Sequence, residues 1–186
     1  MPLIDFKSDL PILDTMAILN KYVYCEECAM LLPAQHLALK TRTAGKFNIS
    51  PNQVIIVGST KLGFSIAPEK LFRAFCDTSD IDVAIVSPEL YVKVWYELFN
   101  YRRSQPYWAD ENECMQYCFQ GWIRPDKLPR SNSYPFAKAW WEFFQTLTSS
   151  GEFGPYKIRA ALYHSKPFMD SYQRICIDMC KQQLGQ

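Results

Sequence analysis

Ile12, Met16, Leu19 and Val23 recur three or four residues apart, the spacing that lines one face of a helix. Residues 33–41, opened by Pro33, fit a second short helix, and Ala44-Gly45-Lys46 predicts a stop and turn. Residues 53–57 hold the run Val54-Ile55-Ile56-Val57 and end at Gly58, the signature of a buried strand. Residues 60–79, with Gly63, Pro68 and several charges, predict a long connection, after which residues 80–86 read as a second strand. Ser87 and Pro88 then predict the N-cap and first position of a helix whose apolar face is Tyr91, Val94, Trp95, Leu98 and Phe99. Periodicity is weak over residues 104–133, where a helix at 112–119 fits best. A helix over 136–147, stopped by Ser149-Ser150-Gly151, a strand over 156–164 and a helix over 168–184 complete the chain. The order predicts a mixed α/β (α+β) protein, with residues 1–50 as a helical segment packed on a domain formed by 51–186.

Composition narrows the classes of function. The chain has 186 residues, 48% hydrophobic and 21% charged, enough to bury a sizeable core. Twenty lysines and arginines against 19 acids leave a formal charge of +1, which argues against a broad duplex-DNA surface while allowing a local basic pocket. No apolar run approaches the length of a membrane span, and Met1-Pro2-Leu3-Ile4-Asp5 lacks the basic-then-apolar pattern of a secretory signal. The expected compartment is the cytoplasm, where the seven cysteines stay as thiols.

The chemistry concentrates in two places. Val57-Gly58-Ser59 closes the first strand, and twenty residues later Ser79-Asp80-Ile81-Asp82-Val83 opens the second. Residues two apart on a strand share a face, so Asp80 and Asp82 project together. Adjacent carboxylates repel each other unless a cation sits between them, and oxygen ligands of this kind suit Mg²⁺, completed by water and substrate phosphates. Gly58 lets backbone approach a phosphate closely, and the Ser59 hydroxyl can donate to it.

This arrangement resembles the polymerase-β-type nucleotidyltransferase superfamily, in which a strand ending in Gly-Ser precedes a strand bearing Asp-hydrophobic-Asp-hydrophobic; here the match covers residues 54–86. The resemblance implies a nucleotidyltransferase-like mixed sheet flanked by helices, with helical additions at both ends. It also implies Mg²⁺ dependence and transfer of a nucleoside monophosphate from an NTP to a protein or RNA acceptor. Asp80 and Asp82 would be the metal ligands, and Gly58 and Ser59 would contact the β- and γ-phosphates. Small stand-alone members often belong to toxin–antitoxin or phage-defence modules beside a helical partner protein.

Two features depart from the pattern. The connection over residues 60–79 carries an insertion around 67–75. The family also adds a third carboxylate from a later strand, whereas the strand over 156–162 bears Lys157 and Arg159. Asp110, Glu113, Asp126 and Asp178 are the remaining candidates. A chain of this kind is therefore either an active transferase or a catalytically incomplete subunit with a regulatory or scaffolding role.

Other residues read two ways. Lys61 is either a ligand of the γ-phosphate or a solvated loop lysine. Lys157 and Arg159 either reach the triphosphate or guard an edge strand against aggregation, the second reading being preferred. Cys25-x-x-Cys28 lacks a second pair at zinc spacing, and His36 and His164 lie near no motif. The Trp140-Trp141-Glu142-Phe143-Phe144 run reads as core, with its second aromatic face covered by another chain. No Walker, dinucleotide-glycine, HExxH or GxSxG motif occurs.

Overall fold

A computed structural model describes residues 3–104 and 107–185; the Met1-Pro2 part of the N-terminal signal reading lies outside them. Four strands form one mixed sheet in the order β1-β2-β4-β3: β1 (Val54–Val57), β2 (Ile81–Val86), β3 (Trp122–Ile123) and β4 (Ile158–Tyr163). β1 runs antiparallel to β2, β2 parallel to β4, and β3 antiparallel to β4. Helices flank this sheet, so the protein is of the α+β class.

Strand alternation sorts the residues between two cores. Val54, Ile56, Ile81, Val83, Ile85, Ile158 and Leu162 face one side. There they pack with Leu39 of α3 (Pro33–Phe47), Val94 and Leu98 of α5 (Pro88–Ser104), and Trp140 and Phe144 of α7 (Pro135–Ser149). Ser87 caps α5 as expected, its hydroxyl accepting from the Leu90 N–H at 3.3 Å. On the other side Ile55, Ala84, Ala161 and Tyr163 meet α1 (Leu3–Asp9), α2 (Thr15–Ile18) with the π-helical turn Leu19–Val23, and α8 (Lys166–Leu184). Asp82 and Arg159 belong to this second side, at the end of the sheet that Gly58 adjoins.

Several expectations shift. The single N-terminal helix is two short helices and a π turn, and Ile12 lies outside them, exposed. Gly45 does not stop α3, which continues to Phe47 and ends at Asn48 in the left-handed conformation (φ 54°), its N–H donating to Ala44. Gln53 belongs to a 3₁₀ turn capped by Ser50 rather than to β1. β3 was not expected at all. It follows α6 (Glu111–Phe119) through Gly121, whose φ of +80° and contact with the Phe168 ring leave no room for a Cβ. Trp141 is partly exposed while Trp140 and Phe144 are buried, and Phe143 packs edge-on against Phe47 of the same chain. Among the described residues no helix is long and apolar enough to cross a membrane.

Candidate active site

Gly58 does not form a simple turn: it opens a short helix, α4 (Gly58–Leu62), directly from the end of β1. Its φ is +66°, and a Cβ built on it would stand 2.6 Å from Oδ2 of Asp82. Glycine is therefore required twice here, by the backbone angle and by the carboxylate lying against it. Thr60 of the same helix is buried, and its hydroxyl donates to the Asp80 carbonyl at 3.0 Å, tying α4 to the start of β2. Gly58, Ser59, Asp80 and Asp82 thus line one cleft of about 370 Å³.

Electrostatics in this cleft are mixed. Burial, with the Asp80 carboxylate beside it, pushes the Asp82 carboxyl up to about 6, while Arg159 and Lys70 pull it down. Arg159 stands on β4 in register with Asp82, and its Nε lies 2.9 Å from Oδ2 of Asp80. β4 lies between β2 and β3, but β3 pairs only with Leu162 and Tyr163, so Arg159 stands beyond that pairing, where it lines the cleft and pairs with Asp80. The insertion folds back on itself through the bridge Phe64↔Ala74 and the bond from Ser65 N–H to the Arg73 carbonyl. It brings Lys70 and Arg73 to the cleft, two cations that sequence reasoning missed.

Lys61 is the residue the structure separates from this group. It is 2% exposed, and its ammonium donates to the carbonyls of Cys25 and Glu27. The 25–30 segment is bound to α4 along that side, since Ala29 and Met30 donate to the Lys61 and Thr60 carbonyls. Lys61 is neither a solvated loop lysine nor a phosphate ligand; it is a buried brace. Lys61→Met should therefore cost about 2 kcal/mol in urea unfolding, two carbonyls losing their donor against the relief of a buried charge. Titration with Mg²⁺–ATP should give the same result for the variant as for the wild type, because Lys61 does not line the cleft.

Among the described residues no third acid joins the pair. Asp126 lines the cleft, yet Arg124 holds it with both Nε and a terminal nitrogen, at 3.1 and 2.8 Å. Asp110 and Glu113 pair with Lys127, and Asp178 accepts from Thr15. Among the described residues no group of three or more His, Cys, Asp or Glu could hold a metal ion, Cys25 and Cys28 included. Two carboxylates and the Ser59 hydroxyl are still a hard-oxygen donor set, and their mutual repulsion is what a divalent cation would relieve, so the residues fit Mg²⁺ completed by phosphate oxygens and water.

No protein-family model, curated protein or solved structure matches the chain. The function must come from the site itself.

Proposed function

We propose that the protein binds an Mg²⁺–nucleoside triphosphate in the cleft between α4, the start of β2 and the 67–75 insertion, and transfers its nucleoside monophosphate to a hydroxyl of a protein or RNA acceptor. The observation that carries this reading is the fit of the Asp82 carboxylate against the Cβ-less face of Gly58, with Asp80 beside it. The Ser59 hydroxyl and the backbone at Gly58 can approach phosphate oxygens closely. Lys70, Arg73 and Arg159 supply positive charge for a triphosphate, and Arg159, largely exposed, can turn from Asp80 to phosphate. Bound Mg²⁺ would neutralise charge on the attacking and leaving oxygens. The acceptor hydroxyl loses its proton to water and its oxygen forms a bond to the α-phosphorus as the bond to the bridging oxygen breaks, and pyrophosphate leaves. Seven free thiols suit a reducing cytoplasm, where such substrates are plentiful.

A second reading has its own support. Arg159 occupies the β4 position in register with Asp82, on the later strand from which the resemblance would draw a base or third metal ligand for the acceptor step. On that reading the protein holds a nucleotide without turning it over and acts as a regulatory or scaffolding subunit.

Labelled ATP, GTP, CTP and UTP, each with Mg²⁺ and cell extract, separate the two. Transfer of label to protein or RNA, lost when EDTA is added, is expected for the transferase. Nucleotide binding without label transfer would favour the subunit reading, and absence of both would sink each of them.

A further inference from the structure

On the face of the sheet that carries Asp82, the next positions on β2 and β4 are Ala84 and Ala161, both small and both lining the cleft. Opposite them α8 presents Gln173 among Met169, Cys176, Ile177 and Cys180, its buried residues. Gln173 is 5% exposed and lines the cleft. Its amide is not among the buried polar atoms left without a partner, which among the described residues are Thr43 Oγ1, Glu111 Oε2 and His164 Nδ1; it opens onto the cleft, where a ligand can reach it. The slot continues to Trp122 and Tyr172, whose ring centroids lie 5.9 Å apart, with Trp122 stacked on Tyr163 at an interplanar angle of 7°.

A buried amide offers one acceptor and one donor side by side, and flat aromatic surface beside it offers stacking. That is the pair of features a nucleobase requires. We propose that the slot between β4 and α8 receives the base of the nucleotide whose phosphates lie at Asp80 and Asp82, and that Gln173 reads it; this rests on the nucleotide-binding reading above. The base is adenine: a glutamine amide pairs with its N6 amino group and N7 together. Guanine is better read by a free guanidinium, but Arg124, the cation beside Trp122, is already engaged by Asp126.

Calorimetric titration with the four NTPs, with Mg²⁺–tripolyphosphate and with adenosine alone tests this on the full chain. ATP should bind about tenfold tighter than the other three nucleotides, the scale of one bidentate amide–base contact. Gln173→Leu should remove that preference and leave tripolyphosphate affinity unchanged. Equal binding of all four NTPs to the wild type would overturn the base slot while leaving nucleotide binding intact, and needs no variant to fold. Adenosine binding that depends on Gln173, without any tripolyphosphate or NTP binding, would uphold the slot and overturn the triphosphate site. No binding of any ligand would overturn both.

Discussion

Asp82→Asn should make the protein more stable at pH 7 while abolishing the proposed nucleotide transfer. The carboxyl is pushed up to about 6 by burial and by Asp80, against an ordinary aspartate near 3.9. The native state then holds this proton more tightly than the unfolded chain does. Stability from this residue is greatest below pH 4, falls as the pH rises from about 4 to about 6, and is wholly lost above that. The gap corresponds to ~3 kcal/mol carried as a penalty at neutral pH, even with Arg159 and Lys70 partly offsetting it. Asparagine has the same shape and no charge, so the variant should gain ~2–3 kcal/mol at pH 7 and lose the wild type's slope between pH 4 and 6. Urea unfolding at pH 4, 5, 6 and 7 measures both. Label transfer should fall by at least about 10³-fold, because a neutral amide is a poor ligand for a hard cation. Mg²⁺–ATP should raise the unfolding midpoint of the wild type and not of the variant. A variant equal to the wild type in stability at pH 7 would mean that Asp82 is not destabilised by its surroundings.

That penalty separates what could be read from the chain from what could not. The two acids and the Gly-Ser pair were legible because they interrupt apolar runs: Val54–Val57 ends at Gly58, and Asp80 and Asp82 break the run that continues to Val86. The alternation of a strand predicts their convergence, but Asp80 falls one residue before β2, where its carbonyl is tied to α4 by the Thr60 hydroxyl, a contact that does need tertiary information. The fate of Lys61 needs it too. α4 is a single turn with Thr60, Lys61 and Leu62 all buried, and which way its lysine points depends on the 25–30 segment folding over it. Arg159 was ambiguous for a different reason. β3 is two residues long, too short to show a period, and it covers β4 only at Leu162 and Tyr163, so that Arg159 combines a strand edge with a place in the cleft. Gln173 did leave a signal: it is the polar member of an otherwise apolar stripe formed with Met169, Cys176, Ile177 and Cys180 at helical spacing. A lone polar residue on a buried helix face either finds a partner or faces a cavity, and here it faces one.

Gly58→Ala should cripple the site through two separable effects. A non-glycine residue at φ +66° costs about 1–2 kcal/mol in backbone strain alone. The added methyl would also stand 2.6 Å from the Asp82 Oδ2, closer than non-bonded atoms approach, so the carboxylate must leave its place. If Asp82 is one of the two acids of the proposed metal site, displacing it should reduce label transfer by at least about a hundredfold, a misplacement of an ångström or so being enough. The stability loss, ~2 kcal/mol or more in urea, should depend on what stands at position 82. In an Asp82→Ala background only the Cβ remains nearby, at 3.5 Å, an ordinary contact, so Gly58→Ala should there cost only its backbone strain. The difference between the two backgrounds measures how firmly the carboxylate is held against the glycine. If Gly58→Ala costs the same with and without the Asp82 carboxylate, the two groups do not share the space the structure gives them, and the geometry behind the proposed triphosphate site fails.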